Sequence, residues 1–197
     1  LEIMGHAKGQ YQFLHPNDDV NKSQSTNDVY PSAMKLATLL NSVPVMSELS
    51  ALSDSFMAKG VAFSDIVKMG RTQLQDAVPM TLGQEFEAFA KTLRKDRAYI
   101  LNVLTLLYEL NLGATAIGTG VNADPKFGLL AINNLKQISG YPFRQATNLI
   151  EATADTGCFV ALSSALKGTA VKLSKISNDL RLLSSGPRAG LHEVNLP

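Results

Sequence analysis

Apolar residues recur at helical spacing in three long stretches of this chain. In the first, Ala33, Leu36, Ala37, Leu39, Leu40, Val43, Met46, Leu49, Leu52 and Phe56 follow one another at mostly three- and four-residue steps. That spacing predicts one long helix, entered at Pro31 and fading near Lys59-Gly60. Pro44 falls inside the pattern without shifting its phase, so it should kink the helix rather than end it. The second stretch starts between residues 79 and 81 and runs to about residue 111. Leu82, Phe86, Phe89, Leu93, Ile100, Leu101, Leu104, Leu107 and Tyr108 form its buried face. The third covers about residues 149–183 and stops at Gly186-Pro187. A shorter helix over about 125–139 should close at Gly140 in a left-handed cap. Between them, residues 10–28 read as polar loop. Residues 61–78 read as a short apolar piece, Ile66-Val67-Lys68-Met69, followed by a polar cluster. Residues 113–120 form a Gly-rich loop.

This pattern predicts an all-α fold. The last long stretch is rich in small residues: Ala152, Ala154, Gly157, Ala161, Ser163, Ser164, Ala165, Gly168, Ala170, Ser174 and Ser177. Small residues on several faces let helices approach from several sides, as in the interior member of a bundle. A chain of 197 residues offers few helices to surround it. Further helices are therefore expected from other subunits or from sequence outside this chain. Leu1 to Met4 reads as the end of an apolar helix, and the last residues reach Pro197 without a closing element. The chain is expected to be a piece of a longer protein.

Composition narrows the function. Hydrophobic residues make up 45%, which argues for an ordered core. Eighteen basic and seventeen acidic residues give a net charge of +1. That balance offers no electrostatic reason to bind nucleic acid or an anionic membrane. The longest charge-free run, residues 110–123, is too short and too Gly-rich to span a bilayer. No secretory leader pattern opens the chain. A single cysteine, Cys158, excludes an internal disulfide framework and suits a reducing, cytoplasmic setting.

Two polar clusters carry the candidate chemistry. Gln24-Ser25-Thr26-Asn27-Asp28 precedes the helix entered at Pro31. Thr72 and Gln73 precede the helix that follows Pro79. Hydroxyls and amides at a helix N-terminus can hold an anion. The same residue types also cap helices, so each can do either; Gln84 and Glu85 can simply belong to the first turn of the second helix. The Gly-rich loop 113–120 lacks P-loop spacing and its Lys, and it follows a helix, so it reads as a structural turn. His6, His15 and His192 are not at metal-ligand spacing, and no serine lies in a nucleophile-elbow pattern.

Taken together, Gln24-Ser25-Thr26-Asn27-Asp28, the stretch GRTQLQDAVPMTLGQEF over 70–86 and NDLRLLSSGPRAG over 178–190 resemble the fumarase/aspartase superfamily. The order and separation of the motifs match end to end. Fumarases typically carry His after the Thr of the Gly-Arg-Thr motif; this chain has Gln73, as many aspartases do. Asn111-Leu112-Gly113-Ala114-Thr115-Ala116 and Glu193-Val194-Asn195-Leu196-Pro197 also look more like the aspartase branch.

The resemblance implies a truncated long-helix bundle. Residues 1–27 would be the tail of an N-terminal domain, and 28–197 the first part of the central helical domain. It implies reversible deamination of L-aspartate to fumarate and ammonia without an organic cofactor. The assembly would be a homotetramer whose active sites are shared between subunits. Ser25 and Thr26 would hold the β-carboxylate, on which an aci-carboxylate develops, and Asn27 would meet the amino group. Thr72 would contact the α-carboxylate or amino group, with Gln73 beside the amino side. The family's proton-abstracting Ser lies in a Gly-Ser-Ser loop absent from this chain, so the 197 residues alone are expected to be inactive. In fumarases a second anion site includes a His-Pro-Asn-Asp stretch, matched here by His15, Pro16, Asn17 and Asp18. Gln12 replaces its assisting Arg, so tight binding is not expected there. The alternatives are a fumarate hydratase or a non-catalytic helical scaffold.

Overall fold

The computed structural model describes residues 1–197. Helices dominate, and the all-α expectation holds. The elements are α1 (Thr26–Ala62), β1 (Val67–Thr72), β2 (Gln75–Thr81), α2 (Leu82–Leu104), β3 (Glu109–Leu110), α3 (Phe127–Ser139), β4 (Arg144–Gln145), α4 (Leu149–Ala154) and α5 (Gly157–Leu183). The chain divides into two compact units, Leu1–Leu40 with Thr105–Phe159, and Asn41–Leu104 with Val160–Pro197. No helix is long and apolar enough to cross a membrane.

In the first unit, α1 begins five residues before Pro31, not at it. A proline within a helix lacks the N–H that would satisfy the carbonyl four residues back. The orphaned acceptor is Asn27 O, and Asn111 Nδ2 donates to it at 3.0 Å. The apolar interior of this unit contains Leu39, Leu107, Leu110, Leu112, Ile132 and Phe143. β3 and β4 form a short parallel pair, Glu109 opposite Arg144. α3 ends as expected at Gly140, which adopts φ 75° and donates its N–H to Lys136 O.

The second unit packs the latter part of α1, α2 and α5 around Phe89, Leu93 and Ile176, with Phe56, Leu173 and Leu180 against them. Phe56, Phe63, Phe86 and Phe89 interlock at centroid separations of 5.3–6.0 Å. Burying each such side chain stabilises the unit by about 1.5–3 kcal/mol. Thr81 and Gln84 close the start of α2 reciprocally: Gln84 N donates to Thr81 Oγ1 at 3.2 Å and Thr81 N to Gln84 Oε1 at 3.0 Å. Gln84 is therefore a capping residue. Gly83 has to be small, because a Cβ there would stand 2.4 Å from Gly60 O.

The structure corrects four boundaries. Residues 67–81 form an antiparallel hairpin, β1 with β2, where no strand was expected. Both strands are edges, so Pro79 opposite Met69 is tolerated. α2 gives way to a 3-10 turn at Thr105–Tyr108, short of residue 111. The expected helix over 149–183 is two, parted where Asp155 turns extended (φ −89°, ψ 132°) and Asp155 Oδ2 accepts the Gly157 N–H at 3.0 Å. Ala152 and Ala154 thus lie on α4, apart from the small residues of α5. The helix start at Thr26 is the fourth. Pro44 does not end α1.

Candidate active site

The first cluster lies at the start of α1. Ser25 Oγ accepts the Asn27 N–H at 3.2 Å, and Asp28 Oδ1 accepts the Ser25 N–H at 2.9 Å. Ser25 and Asp28 together form a capping box. The Ser25 hydroxyl uses only its oxygen in this bond, so its proton remains available to a ligand. Thr26 is exposed, and its hydroxyl has no partner in the chain.

Asn27 is also exposed, but its amide is oriented. Nδ2 donates to Ala116 O at 2.7 Å. A carbonyl only accepts, so the NH2 end must face it, which leaves Oδ1 and the second N–H of Nδ2 to meet a ligand. That oxygen accepts hydrogen bonds, which suits an ammonium group.

Asp28 is fully buried. Besides the Ser25 amide, it accepts the N–H groups of Gly113 at 3.2 Å and Thr115 at 3.0 Å through Oδ2. Thr115 is held at φ 59°, and Gly113 at 89°. Other amides of the Gly-rich loop are satisfied internally: Ala114 on Asn111 O, and Gly118 and Gly120 on Ala114 O. The loop is a turn, as its spacing suggests.

The second cluster lies at the hairpin tip. Thr72 pairs with Gln75, and Gln73 and Leu74 form the two-residue turn at φ 51° and 63°. Two successive positive φ values are what a type I′ turn requires, normally met by Asn-Gly. Holding non-glycine residues there costs about 1–3 kcal/mol each. The Thr72 hydroxyl and Gln73 amide are exposed and make no hydrogen bond within the chain.

Charged groups anchor the base of this hairpin. Arg71 NH2 donates to Glu193 Oε1, and Arg71 Nε lies 3.5 Å from Asp76 Oδ1. Lys68 Nζ stands 2.5 Å from Glu85 Oε2 and 3.0 Å from Glu193 Oε2. The latter is an ion-pair contact without hydrogen-bond alignment, which leaves Oε2 without a hydrogen-bond donor. Burial pushes the Glu193 carboxyl up, but the Arg71 hydrogen bond and the close positive charges of Lys68 and Arg71 outweigh it and hold the group below the usual carboxylate range. The Glu193 hydrogen bond raises Arg71 in turn. A cavity of about 320 Å³ opens beside these groups and is lined in part by Lys68, Arg71, Gln73 and Glu85.

The His15 stretch forms an exposed turn at Pro16–Val20. His15 Nδ1 accepts the N–H groups of Asn17 and Asp18, both at 3.2 Å. The His15 N–H donates to Asp19 Oδ2 at 2.8 Å, which holds that carboxyl below its usual range. Those two amides are occupied by the imidazole. No group of three or more His, Cys, Asp or Glu is placed to hold a metal ion.

Sequence reading picked out Ser25–Asn27 and Thr72–Gln73 but missed the residues supporting them. Asp28 passed as one more cap, although its three-residue spacing from Ser25 is a capping-box signal. Arg71, Lys68 and Glu193 carried no local signal, since their pairing spans more than a hundred residues.

The chain belongs to the lyase family, whose model matches residues 1–197. It is 61% identical to an aspartate ammonia-lyase of Pseudomonas fluorescens over 100% of this chain and 41% of that protein. The aspartate ammonia-lyase of Pseudomonas canavaninivorans is likewise 61% identical, over 100% of this chain and 42% of its own length. A crystal structure of a fumarate lyase:delta crystallin from Brucella melitensis bound to cobalt superposes with a TM-score of 0.97 at 58% identity. The match covers 100% of this chain and 43% of that one. The chain thus spans about two fifths of the length of these relatives.

Proposed function

We propose that this chain carries two substrate-binding clusters of an aspartate ammonia-lyase, which interconverts L-aspartate with fumarate and ammonia. The observation that carries this reading is the fixed orientation of Asn27. With Nδ2 tied to Ala116 O, Oδ1 makes no hydrogen bond within the chain and can accept from the substrate ammonium. Relatives bearing this activity's name, at 61% identity across the whole chain, support it.

The chemical problem is a weakly acidic C–H beside a carboxylate. Removing that proton places a second negative charge on the carboxylate as an aci-carboxylate. Fixed donors aimed at its oxygens lower the barrier, and each is worth about 3 kcal/mol. Ser25 and Thr26 hydroxyls, at the positive end of a 37-residue helix, serve this role. Thr72 and Gln73 hold the other end of the substrate from the hairpin tip. The proton acceptor is a serine outside these 197 residues.

The assembly is a homotetramer in the cytoplasm, with clusters from different subunits meeting around one dicarboxylate. Exposed Met34, Leu40, Val43 and Val45 on α1 and Val160, Leu166 and Val171 on α5 support association. The test compares fumarate formation from L-aspartate and from L-malate by the full-length enzyme, with S25A and N27A beside it. Deamination that falls about 100-fold in either variant is expected. Preference for malate, or unaltered S25A and N27A, would overturn the reading.

A further inference from the structure

We propose that Asp28 is a positioning residue that sets the geometry of Ser25 and Asn27 without touching substrate, an inference that rests on the function proposed above. The start of α1 and the loop after β3 are separate stretches of chain, and the Asp28 carboxylate joins them. One oxygen takes the Ser25 N–H, and the other takes the Gly113 and Thr115 N–H groups. The same loop supplies Ala116 O, the acceptor that turns the Asn27 amide. Asn111, also buried, closes the circuit by donating Nδ2 to Asn27 O and Thr153 Oγ1, both at 3.0 Å.

Every donor around Asp28 is a backbone N–H, so the group must accept three hydrogen bonds and donate none. Only a carboxylate does so at this size. Asparagine presents an NH2 to at least one of these N–H groups, which forces the loop and the helix start apart. Asp28 is fully buried, so no water enters at its surface to substitute. Ala116 O then moves relative to Asn27, and the Ser25 backbone relative to its hydroxyl. Displacement of a substrate-orienting group by 1 Å can cost on the order of 100-fold.

The experiment uses the full-length enzyme and its D28N, S25A/N27A and D28N/S25A/N27A variants. KM and kcat for L-aspartate and the inhibition constant of succinate, a dicarboxylate without the amine, are measured. KM and the inhibition constant do not depend on how much enzyme is folded, so they separate geometry from yield. D28N is expected to lower kcat/KM by roughly 10- to 100-fold and raise KM. Adding D28N to S25A/N27A should change little, because the groups it positions are gone. If D28N does not assemble, D28E takes its place. It keeps the charge but moves the carboxyl by one methylene, and the same KM rise is expected. Lost activity with unchanged KM and inhibition constant would overturn the proposal, as would wild-type kinetics in the variant tested or a full further loss in the triple variant. Wild-type kinetics in S25A/N27A would overturn the functional reading itself, a distinct result.

Discussion

Replacing Glu193 with Gln removes the charge that holds the hairpin base together. The side chains of Glu193, Arg71 and Lys68 are 19%, 18% and 8% exposed. Lys68 retains Glu85 at 2.5 Å, but Arg71 keeps only Asp76 at 3.5 Å, whose side chain is 74% exposed. An exposed ion pair is worth about 0–1 kcal/mol, and breaking a fully buried one costs about 3–5 kcal/mol. A site four-fifths buried with one partner partly compensated falls between, at about 2 kcal/mol. For a chain of this size that is a loss of about 4–8 °C in Tm. The effect carries a pH signature. The Glu193 carboxyl in the fold lies below its ordinary value of 4.5. Its contribution is therefore fully present above that value and is lost as pH falls through the folded-state value. Thermal melts of wild type and E193Q at pH 7 and pH 3 should differ by several degrees at the first and converge toward the second. Equal Tm values at pH 7, or a gap that persists unchanged at pH 3, would refute the role assigned to the ion pairs.

Other substitutions probe the same features. L74G relieves one positive φ at the hairpin tip and should stabilise the chain by ~1 kcal/mol in urea unfolding. G83A places a Cβ 2.4 Å from Gly60 O and should cost about 3 kcal/mol, read as a lowered Tm. T72A in the full-length enzyme should lower kcat/KM for L-aspartate by roughly 100-fold if its unpartnered hydroxyl meets substrate as proposed. A homogeneous preparation of residues 1–197 should release no fumarate from L-aspartate, as followed by ultraviolet absorbance.

The long helices were legible because burial repeats every three to four residues over many turns. Phe86, Phe89 and Leu93 on α2 are buried where the pattern placed them. The hairpin escaped notice for identifiable reasons. Its turn is Gln73-Leu74, without the Asn or Gly that marks two positive φ values. Five of the seven residues of β2 are exposed and none is buried, so no alternation of apolar and polar residues develops. The early start of α1 was hidden by Pro31, which reads as a first-turn residue. Inside the helix it survives because Asn111, 84 residues from Asn27 in sequence, satisfies the carbonyl it leaves free. Asp155 ends α4 for a local reason that a run of small residues concealed. The candidate site was legible only as two clusters of residue types. The loop-to-helix bonds that fix their orientation were not, because such pairings carry no periodicity.

Capping and binding looked like competing uses of Ser25, yet the geometry lets one hydroxyl do both. A cap needs the oxygen lone pair, and a carboxylate needs the hydrogen. Bonding to the Asn27 N–H leaves the Ser25 hydroxyl proton free while restricting where it points. The partition continues along the next two residues. Thr26 is left without a cap partner, whereas Asn27 spends one of its two side-chain N–H donors on Ala116 O and keeps Oδ1 as an acceptor. Two hydroxyl donors followed by the Oδ1 acceptor match the carboxylate and ammonium of the proposed substrate. Side-chain types alone would permit the reverse assignment, since asparagine carries both functions. On the proposed function, the orientation of the Asn27 amide toward substrate depends on the position of the backbone carbonyl at Ala116, and on whatever holds that carbonyl still.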